Sequence, residues 1–185
     1  MFIQTEETPN PATLKFLPGR SVTGGAPVDC PTPESAARSP LARALFGVEG
    51  VSGVFLGDDF VTVTSNGSKD WAVLKPALLG AIMDHFVHNR PVLETSGADA
   101  ETAGATGTDD PIVVQIKELL DQRVRPVVAN DGGDIAFHSF DNGVVYLHMR
   151  GSCAGCPSST ATLKSGIENL LRHFIPEVTE VRAVR

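Results

Sequence analysis

At 185 residues and 42% hydrophobic, the chain is long enough for one medium domain or two small ones and too apolar to be disordered. Its formal net charge of −7 excludes an electrostatic nucleic-acid partner, because phosphate binding needs clustered Lys and Arg. No uninterrupted apolar stretch is long enough to span a bilayer, so no membrane partner is expected.

Residues 111–185 carry eight basic and eight acidic side chains, residues 1–95 seven and ten, and residues 96–110 four acidic and none basic. The acidity therefore sits in the first part and in a connector. Three cysteines, with no secretory apolar region after Met1-Phe2-Ile3-Gln4, fit a reducing compartment better than a disulfide-stapled secreted module. Glu6 and Glu7 are unlike the acid-poor start of a transit peptide, so the expected location is cytoplasmic.

In chain order, Phe2–Thr5 and Thr13–Leu17 are strand candidates around the turn residues Pro9-Asn10-Pro11. Residues 18–40 read as loop, rich in Pro, Gly and Ser. Ser39-Pro40 then reads as an N-cap followed by a first-turn proline, opening a short helix through Phe46. Val51–Leu56 and Phe60–Thr64 flank Gly57-Asp58-Asp59 as a hairpin. Trp71–His88 has helical spacing, with Val73, Leu74, Ala77, Leu78, Ile82 and Phe86 on one side, and Pro76 suggests a start nearer Lys75. The order β-β-α-β-β-α predicts a small α+β domain over residues 1–94. Residues 95–110, which hold no large apolar side chain, are expected to be a flexible acidic linker.

Beyond the linker, Ile112, Ile116, Leu119, Leu120 and Val124 predict an amphipathic helix that Pro126 helps to end. Ile135–Phe140 and Val144–Met149 predict a hairpin, because Asn142-Gly143 accepts positive φ. Pro157–Phe174 reads as a helix with Leu163, Ile167, Leu170 and Leu171 on one face, and Val178–Val184 as a final strand. Residues 111–185 thus form a second α+β module of order α-β-β-α-β.

Cys153 and Cys156 make a CxxC pair in the run Gly151-Ser152-Cys153-Ala154-Gly155-Cys156-Pro157, between strand and helix. The pattern alone leaves zinc, redox and iron–sulfur readings open. A helix N-terminus favours thiolate over thiol, and Gly151 and Gly155 let the backbone approach a sulfur-rich ligand. Two-iron and four-iron clusters normally take four cysteines. One chain offers two at the site, since Cys30 falls in a loop of the other module, so the missing pair comes from a second copy, most simply in a symmetric dimer.

Val124-Arg125-Pro126, Asn130-Asp131-Gly132-Gly133-Asp134, the CxxC run, Thr162-Leu163-Lys164-Ser165-Gly166-Ile167-Glu168 and Ile175-Pro176-Glu177-Val178 together resemble the C-terminal NifU-like domain of the Nfu family of iron–sulfur cluster carriers. Pro9-Asn10-Pro11, Leu14-Lys15-Phe16, Ser39-Pro40-Leu41-Ala42 and Asp59–Thr64 are similar to the N-terminal domain that accompanies it. The resemblance implies a non-enzymatic scaffold or carrier that holds a [4Fe–4S] cluster between two subunits through Cys153 and Cys156. It also implies delivery to apo iron–sulfur client proteins, upstream cluster donors, and a client- or donor-binding role for residues 1–94.

The alternatives at these thiols are a [2Fe–2S] cluster, adventitious zinc shared by two chains, or thioredoxin-like dithiol–disulfide chemistry. Against the last, a hairpin precedes the motif where a βαβ crossover would be expected, and Ser152 stands where an aromatic residue is usual. His138, His148 and His173 are not at zinc-finger spacing from the cysteines. Asp131-Gly132-Gly133-Asp134 is explained as a turn, Trp71 as a packing anchor and Cys30 as a bystander. Arg125 and Lys164 either balance cluster charge or are solvated.

Overall fold

A computed structural model describes residues 2–94, 110–154 and 157–184. The chain divides into two compact units, Met1–Gly97 and Ala98–Arg185. The linker expected over 95–110 lies outside the described residues except for Asp110. No helix among the described residues is long and apolar enough to cross a membrane.

The first unit is a five-stranded antiparallel sheet, order β1-β2-β5-β4-β3, packed against two helices. Its elements are β1 (Gln4–Glu7), β2 (Thr13–Leu17), β3 (Val28–Cys30), α1 (Pro40–Phe46), β4 (Val51–Leu56), β5 (Val61–Ser65) and α2 (Trp71–Val87). The Ser39 hydroxyl accepts from the Ala42 N–H at 3.1 Å with Pro40 at the first helical position, as the sequence requires. The core joins Phe16, Leu56 and Val61 of the sheet to Leu41, Leu45, Leu74, Leu78 and Ile82 of the helices.

Four expectations fail here. Residues 18–40 are not all loop: β3 adds an edge strand against β4, and a 3-10 turn covers Ser35–Arg38. The first strand begins two residues late, leaving Phe2 exposed. Helix α2 starts at Trp71 despite Pro76, because the Trp71 indole N–H donates to the Pro11 carbonyl at 3.1 Å and pins the first turn to the β1–β2 connection. Val73, placed on the buried side by spacing, is 60% exposed.

His85 on α2 is buried, and neither ring nitrogen has a hydrogen-bond partner of good geometry. Burial, reinforced by the Arg90 charge, lowers its pKa from 6.5, and Asp84 and nearby backbone offset only part of this. The folded state therefore resists a proton that the unfolded chain accepts. Stability of the first unit is full above the ordinary histidine pKa and falls as pH drops through it. His85→Leu should flatten that acid limb in pH-dependent thermal melts; an unchanged limb would show that another group titrates.

The second unit packs helices on one face of a three-stranded sheet, order β6-β7-β8. Its elements are α3 (Pro111–Leu119), a π-helical turn (Leu120–Val124), α4 (Arg125–Asn130), β6 (Gly133–Asp141), β7 (Val144–Gly151), α5 (Pro157–Phe174) and β8 (Glu180–Val184). Asp110 caps α3 through the Ile112 N–H at 3.0 Å. Asn142 and Gly143, at φ 48° and 82°, make the primed turn of the β6–β7 hairpin. Ile116, Leu120, Val124, Val128, Ile135, Val145, Leu147, Ile167, Leu171 and Val181 form the core.

Pro126 does not end the helix. The Arg125 N–H reaches back to the Leu120 carbonyl, and this wider turn absorbs a proline that would press on an ordinary helical turn, so α4 continues to Asn130. The last strand is shorter than expected and pairs parallel to β7, Val145 opposite Val181. β7-α5-β8 is thus a βαβ crossover, which removes the topological objection to a redox CxxC.

Candidate functional site

Cys153 lies in the loop between β7 and α5, and four hydrogen bonds hold that loop. Gly132, at φ 79°, ends α4 in the left-handed conformation, and its carbonyl accepts the Ser152 N–H at 3.2 Å. The Ser152 hydroxyl, buried, donates to the Asp131 carbonyl. The Ala154 N–H closes a turn onto the Gly151 carbonyl at 3.1 Å, with Gly151 at φ 63°. The Thr160 hydroxyl donates to the Cys153 carbonyl at 3.1 Å, tying α5 to the loop.

Gly133 is the tightest point. A Cβ there would stand 2.5 Å from the Cys153 sulfur and 2.8 Å from the Arg150 carbonyl oxygen. Next to it Asp134, buried, accepts from Arg125 Nε at 3.0 Å and Nη2 at 3.2 Å, while Arg125 Nη1 reaches Asp121 at 3.1 Å. The Asp131-Gly132-Gly133-Asp134 turn is structural, as expected, and the structure it serves is the cysteine loop. Arg125 spends its charge on two aspartates, and Lys164 lies 3.8 Å from Glu180.

Cys153 itself is 6% exposed and packs with the core. Burial pushes its thiol up to about 11; Asp131 and Asp134 add to this, and a hydrogen bond with Ser152 offsets part of it. Ligation at Cys153 therefore requires that proton to leave, while the thiolate expected at the helix N-terminus is that of Cys156. Cys156, the other expected ligand, lies outside the described residues, as does Gly155.

Cys30 is not in a loop but in β3, fully buried, with its thiol directed to the Ser35 carbonyl at 3.7 Å and pushed up to about 11 by burial and Asp29. Among the described residues no group of three or more His, Cys, Asp or Glu is placed to hold a metal ion. Sequence reasoning missed Ser152 and the bidentate Arg125–Asp134 pair; the facing Gly132-Gly133 and Gly151-Ser152 runs were the available signal.

Two family matches cover most of this framework: residues 3–89 match the scaffold protein Nfu/NifU N terminal, and residues 116–182 the NifU-like domain. The NFU1 iron-sulfur cluster scaffold homolog, mitochondrial, of Homo sapiens is 50% identical over all 185 residues, which cover 72% of its length. The chain belongs to the Nfu family of iron–sulfur cluster scaffold proteins. The Drosophila persimilis and Drosophila willistoni proteins of the same name are each 51% identical over the whole chain, which spans 65% and 64% of their length. The chain thus spans about two thirds of these Nfu relatives.

The solution structure of a NifU-like protein from Saccharomyces cerevisiae is similar over 51% of this chain and 86% of its own, at 24% identity and a TM-score of 0.46. The cytoplasmic expectation is overturned: these Nfu relatives are named mitochondrial. The thioredoxin-like alternative gains no support, since both halves match Nfu domains even though the crossover topology would have allowed it.

Proposed function

We propose that this chain carries a [4Fe–4S] cluster as cargo between two copies of itself, held by Cys153 and Cys156 of each, and hands it to apo iron–sulfur proteins in the mitochondrion. The observation that carries this is the loop: an Nfu-family chain spends a Gly-Gly turn, a buried serine and a bidentate ion pair on fixing the backbone at one cysteine. Cys30 is sealed in the first unit's core, so each chain has two thiols to offer and a second copy completes the four.

Among the described residues of the loop no group is arranged as a nucleophile with its base, and the reading is of a carrier rather than an enzyme. Two ligands per chain suit release. An incoming client thiol gives its proton to solvent as its sulfur binds iron, and the displaced carrier sulfur takes a proton back, with no change of oxidation state. Residues 1–94 serve to engage clients or donors, raising their effective concentration at the cluster.

Anaerobic reconstitution tests this. We expect about four iron and four sulfide per dimer, abolished by Cys153→Ser or Cys156→Ser and kept in Cys30→Ala. Sedimentation velocity should find the apo chain monomeric and the loaded chain dimeric, because a ligand that binds only the dimer draws assembly with it. A loaded monomer would exclude bridging. Equal delivery by the full chain and by residues 110–185 to every client tried would exclude a targeting role for the first unit.

A further inference from the structure

The face of the β6-β7-β8 sheet opposite the helices carries a histidine pair that the cluster site does not use. Val145, Leu147 and Val181 point into the core, so strand alternation puts Tyr146, His148 and Arg182 on the other side. His138 reaches this face through a β-bulge: pairing runs Phe137 opposite Leu147, then Ser139 opposite Tyr146, leaving His138 as the extra residue. A bulge re-aims a side chain. The His138 and His148 rings meet edge to face with centroids 4.9 Å apart at 70°.

The two rings are prepared as ligands. His138 Nδ1 sits 2.9 Å from the Ser139 hydroxyl, which leaves Nε2 as the nitrogen available to a metal. His148 is partly buried, and burial, His138 and Arg150 together disfavour its charged form, so it presents a neutral imidazole. His138 opposes protonation of His148, whereas a shared cation would draw on the lone pairs of both rings.

We propose that His138 and His148 chelate a borderline divalent cation of the kind that prefers imidazole, Ni(II), Cu(II) or Zn(II), clipping β6 to β7 across the bulge. With no third His, Cys, Asp or Glu grouped there among the described residues, water completes the coordination, and the cation exchanges readily. Bound only to the folded hairpin, it stabilises the second unit by mass action.

The test is isothermal titration of Ni(II) into the untagged full chain bearing Cys153→Ser and Cys156→Ser, which removes the competing thiols and makes the result independent of cluster binding. One Ni(II) per chain should bind. Affinity should fall by more than about tenfold in His138→Ala and in His148→Asn, since loss of even an outer-shell partner costs that much. His88→Ala, an exposed histidine of the other unit, should leave it unchanged. Absence of Ni(II) binding, or affinity that survives either change at the hairpin in a chain of unaltered circular dichroism, would overturn the site.

Discussion

Replacing Arg125 by Ala should unfold much of the second unit at moderate temperature, whereas Asp134→Asn should be mild. The asymmetry comes from exposure. The Asp134 side chain is 8% exposed and takes both its hydrogen bonds from Arg125, whose own side chain is 39% exposed and has Asp121 as a further partner. Deleting the guanidinium strands a buried carboxylate. Breaking a buried pair from that side costs about 3–5 kcal/mol, and partial access of water to the arginine argues for the lower end. Against the marginal stability of a domain this small, ~3 kcal/mol is most of what there is. Asp134→Asn leaves a neutral acceptor and an arginine free to turn to Asp121 and water, at about 1 kcal/mol. Arg125→Lys should not rescue, because an ammonium lacks the planar fork that meets both carboxylate oxygens. Urea denaturation of the full chain decides: equal losses in Arg125→Ala and Asp134→Asn would mean that the pair is not what holds the turn.

What the sequence disclosed about this protein was local. Ser39-Pro40 and Asn142-Gly143 were legible because a cap and a primed turn are chemistry between near neighbours. Strand β3 was not, because Val28–Cys30 is extended only through its partner Val54–Leu56, more than twenty residues on. Pro126 misled because a proline's ordinary effect was averted by a π-helical turn that no periodicity announces. The thiols were legible as residues, but not their protonation: burial and the nearby Asp131 and Asp134, which set the Cys153 thiol, exist only once α4, β6 and β7 meet. The parallel seat of β8 beside β7, which makes the cysteine loop part of a crossover, was hidden for the same reason.

Gly133→Ala should expel Cys153 from its seat, and one added methyl is enough. That carbon would sit 2.5 Å from the sulfur, 2.8 Å from the Arg150 carbonyl oxygen and 3.1 Å from the Cys153 nitrogen. Two of these neighbours are backbone. The Arg150 carbonyl belongs to β7, which pairs with β6 as far as Gly133 opposite Gly151, so it cannot retreat without opening the hairpin. Overpacking of this kind costs about 1–3 kcal/mol, and relief comes most readily from swinging the cysteine loop outward. Gly166→Ala is the control: it lies exposed within α5 with nothing inside 4 Å of its Cβ, and should gain about 0.5–1 kcal/mol by removing a helical glycine. The two substitutions therefore move stability in opposite directions. Alkylation follows the sulfur itself. With Cys156→Ser to leave one thiol in the second unit, Cys153 should react slowly in the parent, as a buried thiol held near 11 must, and markedly faster in Gly133→Ala. In a chain that keeps Cys156, the same change should cut cluster yield on reconstitution. A Gly133→Ala chain that melts like its parent and keeps Cys153 slow to alkylate would show that the turn does not press on this cysteine.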